Sequence, residues 1–307
     1  MQGFLLVVKP AHMTSHDVVQ WVRRWSGQRR VGHTGTLDPM AEGLLPLLLG
    51  RATRLSGYLQ ELSKWYRAEV TFGAETDTHD AWGEVMNRYP VDQVNTAQLR
   101  KALEKLTGPQ LQVPPMTSAR RYQGRRLYEL AREGKEVARP PRKIVIHRLE
   151  LLTFSPPEGG RPPRALIDCV CSSGTYVRTL CAQIGRLVGS GAYMSYLLRC
   201  GVGPFTVAAA YTLEELAGLS PADRSRILLE PGQALSWLPA LRLDPANARG
   251  VRHGQPPCVA AADLARAAAA PGGRARLYDP EGRFLAVARV DRDSTGDSTL
   301  RLEKVLA

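Results

Sequence analysis

Aromatic side chains, acidic charge and long apolar runs are all scarce in this chain, and each shortage removes a class of protein. At 7% aromatic residues, a continuous stacking platform for single strands is a poor expectation, and recognition of a folded polyanion by shape and phosphates is a better one. The longest apolar runs, Phe4 to Val8 and Leu44 to Leu49, fall far short of the roughly 20 residues that span a bilayer, and no basic-then-apolar signal segment opens the chain. No membrane role is expected. The cysteines are Cys169, Cys171, Cys181, Cys200 and Cys258, an odd number with no C-x-x-C spacing. Cys169 and Cys171 would share one face of a strand, which is poor geometry for a disulfide or a zinc knuckle. All five read as small buried residues in a reducing compartment, so a cytoplasmic location is expected. The spaced aspartates of Thr76 to Gly83 lack both the D-x-[DN]-x-[DN]-G loop and the distal glutamate of a calcium site, and no metal is assigned.

Positive charge is what the chain has in excess. Its 307 residues carry 41 Lys plus Arg against 29 Asp plus Glu, a formal +12. That balance favours a polyanionic partner without separating RNA from DNA or an acidic membrane surface. The excess is concentrated. Arg120 to Arg148 holds ten Lys or Arg and three Glu, so +7 of the total lies in under a tenth of the length. A solvated helix face with i,i+4 pairs, Arg125 with Glu129 or Arg132 with Glu136, would account for such a run. Gly124, Gly134 and Pro140-Pro141 punctuate it, which suits a mobile arm closing over RNA.

The length suits about two domains. Phe4 to Val8 reads as a buried strand. Thr14 or Ser15 then caps a helix with Val18, Val19, Val22 and Trp25 as its apolar stripe. Leu44 to Leu49 is a buried run whose Pro46 argues for an edge or bulged strand, and Trp65 to Phe72 is a β-rich segment. Thr96 to Leu106 is a periodic helix ended by Gly108-Pro109; Ile144 to Phe154 and Ala165 to Cys171 are strands; Thr175 to Val188 is a helix. After a short helix, Leu213 to Leu216, comes a Pro- and Ala-rich linker. From about residue 240 the composition turns to short strands, with an Ala-rich helix near Ala260 to Ala269, a turn at Asp279 to Gly282 and a strand at Phe284 to Val290. Irregular alternation of strands and helices predicts an α+β core with a mixed, largely antiparallel sheet and flanking helices.

The most informative stretch is GHTGTLDPMAEGLL, Gly32 to Leu45. Gly32 and Gly35 admit backbone conformations that other residues avoid, and Pro39 biases Asp38 toward extended backbone, so the carboxylate points out of a loop. The plain alternative is an Asp-Pro helix N-cap.

The whole string resembles the catalytic motif of the bacterial TruB family of pseudouridine synthases, which modify the T arm of tRNA. KPAHMTSHDVV upstream and KWYRAEV, TDTHDAWG, PPMTSARRYQGRRLYELAREGKEV and SSGTYVRTL downstream follow in the family's order. The resemblance implies a pseudouridine synthase fold over 1–235 with a basic thumb-like insertion at about 112–143. It also implies a small β-rich PUA-like RNA-binding domain over 240–307, helped by RGVRHGQ at Arg249 to Gln255. Asp38 takes the essential carboxylate, and Arg178 pairs with it, since a guanidinium orients a carboxylate from which a bound base excludes water. Tyr66 stacks on the target base and assists at C5. Tyr176 and Leu197 line the pocket, Asp80 joins its polar network, and His33 fills the space left by the flipped nucleotide. Arg120, Arg121, Arg125 and Arg126 of the thumb bind RNA.

The reaction so implied is isomerisation of the T-arm uridine at position 55: the base is extruded, the glycosidic bond broken, the base rotated and C5 joined to the sugar. It needs no cofactor, metal or obligatory protein partner, and a monomer is expected. Two alternatives remain, a guide-RNA-dependent synthase and an RNA-binding, tRNA-folding chaperone. Three positions depart from the family pattern: His12 for a usual glycine, Thr117 for a usual tyrosine and Arg121 for a common lysine. None of them is expected to touch the catalytic set.

Overall fold

A computed structural model describes residues 1–118, 121–135, 137–292 and 298–306, with the side chains of 121, 126, 128, 132 and 292 outside that description. The elements in chain order are β1 (Gly3–Lys9), α1 (Ser15–Ser26), β2 (Val31–His33), β3 (Glu42–Leu49), α2 (Ser56–Glu61), β4 (Lys64–Phe72), β5 (Ala74–Thr76), β6 (Val85–Arg88), α3 (Thr96–Leu106) and β7 (Gly108–Gln112). Then follow β8 (Arg121–Tyr122), β9 (Arg125–Arg126), α4 (Leu127–Arg132), β10 (Arg142–Ser155), β11 (Arg164–Cys171), α5 (Val177–Val188), β12 (Ala192–Val202), β13 (Phe205–Thr206) and α6 (Leu213–Ala217). The C-terminal part holds β14 (Ala240–Arg242), α7 (Pro245–Arg252), α8 (Ala261–Ala268), β15 (Arg274–Tyr278), β16 (Phe284–Arg292) and β17 (Ser298–Val305).

Among the described residues the main sheet has nine strands, in the order β1-β3-β12-β4-β11-β10-β7 with β2 on β3 and β13 on β12. All its pairings are antiparallel except β3 with β12. The apolar stripes of α3 (Leu99, Ala102, Leu103, Leu106) and α5 (Leu180, Cys181, Ile184, Val188) bury Val70, Phe72, Ile146 and Ile167 of the sheet. At the other end α1 lays Val18, Val19, Val22 and Trp25 on β1 and β3. Its start is the predicted one: Thr14 and Asp17 form a reciprocal capping box, and Gly27 closes the helix in the left-handed conformation.

Pro46 does not mark an edge. β3 runs inside the sheet, and Pro46 faces Leu6 across β1. Leu6 and its neighbours Phe4 and Val8 turn their backbone groups the other way, to Leu229 and Tyr211. Leu6–Pro46 is therefore a non-hydrogen-bonded pair, and the N–H that proline lacks would point into the interval between the residues paired with β12 and those paired with β2. Gly43 makes the parallel approach to β12 workable: its φ is 106°, and a Cβ there would run into the Arg199 backbone.

Three further expectations change. The Pro- and Ala-rich linker is a packed strap, since Leu229 exchanges backbone hydrogen bonds with Phe4 and Ala234, Leu235 and Leu238 are buried. The strand β12, absent from the sequence reading, fills the middle of the sheet. Cys258 is exposed while the other four cysteines are buried and free. The second sheet, β14-β15-β16-β17, encloses its own core with α7 and α8 and meets the first through Val287 and Leu306 against Leu55, Tyr58 and Leu59. β7 and β10 pair from Arg142 opposite Gln112 onward, so residues 113–141 leave the sheet and return at one place. That excursion carries the β8–β9 hairpin and α4.

Candidate active site

Asp38 caps no helix. After it the chain makes a turn, with the Ala41 N–H donating to the Asp38 carbonyl, and enters β3. The upstream segment fixes this loop from below. Ser15 Oγ accepts from the Leu37 N–H at 2.8 Å and donates to the Leu37 carbonyl at 3.2 Å. The His12 N–H donates to the Pro39 carbonyl at 2.9 Å. Fully buried Lys9 donates to the carbonyls of Pro10, Met13 and Pro39 at 2.8, 2.6 and 3.3 Å. Burial lowers its amine to about 8, against the opposing pull of Glu42 and Asp38. The two motifs are thus one device, the first holding the backbone that presents the carboxylate of the second.

Arg178, in the first turn of α5, meets that carboxylate. Its Nε lies 2.8 Å from Asp38 Oδ2 and its Nη2 donates to Oδ1 at 3.3 Å. The Arg178 side chain is 4% exposed while the Asp38 side chain is 35% exposed, so the pair presents the aspartate to solvent and hides the cation. Nη1 donates to the Thr78 carbonyl at 3.1 Å and to Thr117 Oγ1 at 2.5 Å, and Nη2 donates to the Thr117 carbonyl at 2.9 Å. Asp80 Oδ2 stands 3.6 Å from Nη1. Asp80 is itself held by the Thr78 hydroxyl at 2.7 Å and the Trp82 N–H at 3.0 Å. Every polar face of the guanidinium is engaged, which fixes its plane and so the carboxylate's.

The expectation that the family departures avoid the catalytic set is therefore wrong at Thr117. Thr117 touches Arg178 through both its hydroxyl and its carbonyl, because the chain leaving β7 passes directly over the start of α5. His12 adjoins Pro39. Its φ of 65° is a backbone state that suits glycine, and its ring stacks on Trp82 at 5.5 Å, tying the Lys9 loop to the Asp80 loop.

The cleft above the pair has a volume of about 350 Å³ and is lined by Asp38, Tyr66, Tyr176, Arg178 and Leu197, among others. Tyr66 of β4 and Leu197 of β12 come from neighbouring strands. Burial pushes the Tyr66 phenol up, with the Arg199 charge opposing it. Tyr176 precedes α5 and has its backbone clamped by the Gln112 amide, which accepts from its N–H at 2.8 Å and donates to its carbonyl at 3.1 Å. His33 does not line the cleft. It ends β2 and accepts from the Gly35 N–H through Nδ1, and burial together with the Arg199 charge lowers it, leaving a neutral imidazole at pH 7.

Of the four thumb arginines, Arg125 has a described side chain, and it does not line the cleft. Arg120 lies outside the described residues, as do the side chains of Arg121 and Arg126. Arg125 pairs with Glu133, which also holds Lys135, in place of the expected Glu129. Arg132 and Glu136, the other suggested pair, lie outside the described side chains. Sequence reasoning missed Lys64 and Arg199 in the cleft, and Gln112 on the backbone of Tyr176. An arginine inside the apolar run AYMSYLLRCGV was the available signal for Arg199.

Comparisons with known proteins give the chain a family. The model of the TruB family pseudouridylate synthase N-terminal domain matches residues 23–177. Two C-terminal models follow, that of tRNA pseudouridylate synthase B at 178–231 and that of pseudouridine synthase II TruB at 239–295. A curated relative named tRNA pseudouridine synthase B, from Symbiobacterium thermophilum, is 50% identical over 84% of each chain. Another of that name, from Moorella thermoacetica, is 45% identical over 100% of this chain and 99% of its own. Among solved structures, a chain of a Cbf5-Nop10-Gar1 complex superposes with a TM-score of 0.73 at 22% identity, covering 99% of this chain and 85% of its own, a likeness of fold. With half the chain inside one family model and full-length relatives at such identity, the chain belongs to the TruB family of pseudouridylate synthases.

Proposed function

We propose that the chain is a tRNA pseudouridine synthase that isomerises the T-arm uridine at position 55, acting as a monomer without an obligatory protein partner. The observation that carries the reading is the Asp38–Arg178 pair at the floor of a cleft with Tyr66 on its wall. The cleft's volume of about 350 Å³ lies within the range of small-ligand sites, roughly 300–1,000 Å³. Such a cleft takes one extruded nucleotide and excludes a duplex.

The chemistry conserves every atom of the nucleotide. The C1′–N1 bond breaks, C1′ joins C5, the C5 proton leaves and N1 gains one, so no redox or metal step is called for. Asp38 stands beside the ribose, oriented by Arg178 and lining the cleft. Tyr66 stacks on the base and assists at C5, Tyr176 and Leu197 confine the base, and Asp80 steadies Arg178. His33, neutral, occupies the space that the flipped nucleotide vacates.

Residues 1–235 act as the catalytic unit and 240–307 as a PUA-like RNA-binding unit. The excursion 113–141 serves as a thumb whose cations, Arg120, Arg121, Arg125 and Arg126 among them, meet phosphates.

The test is direct. The purified protein alone, incubated with unmodified tRNA, forms pseudouridine at position 55, and Asp38→Asn forms none while binding tRNA within a few-fold of the wild type. Product elsewhere in the tRNA, dependence on an added guide RNA, or turnover by the Asn variant overturns the reading.

A further inference from the structure

Among the described residues Arg199 is the largest fully buried side chain, 1% exposed, yet it lines the catalytic cleft. It lies on β12, directly opposite Tyr66 of β4 in an antiparallel pair, so the two side chains leave the same face of the sheet. Its Nε donates to the Leu44 carbonyl at 2.7 Å and its Nη2 to the Gly35 carbonyl at 3.1 Å. Both carbonyls belong to the backbone on either side of the Asp38 loop. Among the described residues no carboxylate lies within ion-pair distance of it, whereas Arg178 is neutralised by Asp38 and Asp80.

A buried guanidinium whose neighbours are carbonyl dipoles and the Tyr66 phenol is costly, and arginine cannot escape the cost by losing its proton. Its field is felt nearby. Lys9, His33 and Lys64 are each pushed toward their neutral forms, by burial first and by the Arg199 charge in addition. A positive field without a resident counter-ion, held rigid beside an open cleft, suits an anion that appears there only transiently.

We propose that Arg199 serves the negative charge that forms on the uracil ring when the C1′–N1 bond breaks. The electron pair of that bond stays on N1 and spreads to O2 and O4; it is consumed when C5 bonds to C1′, the C5 proton is lost and N1 is protonated. The cation neither gains nor loses a proton in these steps. Because charge separation is absent in the bound uridine and largest after cleavage, the interaction lowers the barrier more than it tightens binding. This inference rests on the synthase reading above.

The experiment measures single-turnover glycosidic cleavage in a T-arm stem-loop carrying either uridine or 5-fluorouridine at the target. Fluorine stabilises the departing base anion by itself, so that substrate needs the protein's cation less. Arg199→Gln is expected to slow the uridine substrate by about 100-fold, the scale of losing one preorganised oxyanion donor. It should slow the fluorinated one by about tenfold at most on the same scale, with KM nearly unchanged for both. Arg199→Lys, which keeps a charge on a shorter, mobile stem, shows the same inequality at smaller size and carries the test if the Gln variant does not fold. Equal losses for the two substrates, or none, overturn the proposal and identify Arg199 as packing. Absence of product from the wild type on uridine instead overturns the synthase reading.

Discussion

Replacing Arg178 by lysine separates orientation from charge at the heart of the site. The guanidinium makes four hydrogen bonds through its Nη atoms, to Thr78, Asp38 and twice to Thr117, and brings Nε to 2.8 Å from Asp38. A lysine has one nitrogen with three donors and cannot hold a carboxylate in a fork. At least two of these buried acceptors lose their partner. Each bond to a charged group is worth roughly 1.5–3 kcal/mol, so two at the lower end come to about 3 kcal/mol. Borne by the transition state, that is about 100-fold in rate, at 1.36 kcal/mol per decade. Because the Arg178 side chain is 4% exposed, it is out of reach of the RNA backbone, and tRNA affinity should stay within about threefold. Single-turnover pseudouridine formation and filter binding on the same variant, with a melting curve to establish folding, measure both quantities. An unchanged rate, or a loss of affinity equal to the loss of rate, would refute the reasoning and make Arg178 a binding cation.

Thr117→Val removes the hydroxyl acceptor of Arg178 and leaves the carbonyl contact; a fall of about tenfold in single-turnover rate is expected from one charged hydrogen bond, and a wild-type rate would make the hydroxyl incidental. Neutralising Arg120, Arg121, Arg125 and Arg126 together should flatten the dependence of tRNA affinity on salt and weaken all tRNAs about equally. Parallel lines across a salt series would leave these arginines as a solvated face, a result that the Arg125–Glu133 pair makes worth testing. Lys64, buried in the cleft wall and lowered from 10.5 to about 8 by burial and by Arg199, titrates earlier in the folded chain than in the unfolded one. Between those values the unfolded state binds the extra proton, so this group's contribution to stability rises with pH. Urea midpoints compared at about pH 7.5 and about pH 10 should show wild type gaining on Lys64→Met; a constant difference between the two proteins would mean the buried amine stays charged.

Local signals carried much of the fold into the sequence. The helices α1 and α3 announced themselves because a capping residue, a 3.6-residue apolar period and a terminating glycine or turn all agree at Thr14 to Gly27 and Asn95 to Thr107. β12 stayed hidden because a central strand of a sheet buried on both faces loses its alternation, and AYMSYLLRCGV reads as neither period. Pro46 misled for a related reason. Whether a strand proline is harmful depends on which side its missing donor faces, and that is fixed by the register with β1 and by Tyr211 and Leu229, far away in sequence.

The same division runs through the site. Asp38, Tyr66, Asp80, Tyr176 and Arg178 were legible because each sits in a string of residues that resembles a family motif. The groups that position them were not, because their roles are set by contacts across long separations: Ser15 with Leu37, Gln112 with Tyr176, Thr117 with Arg178, Arg199 with Gly35. Thr117 is the sharpest case, a departure in sequence that is a direct support in space. Its hydroxyl and its carbonyl each accept from Arg178, and the carbonyl contact does not depend on the side chain. What the carboxylate receives from this position is therefore the orientation of the guanidinium plane, held in part by backbone.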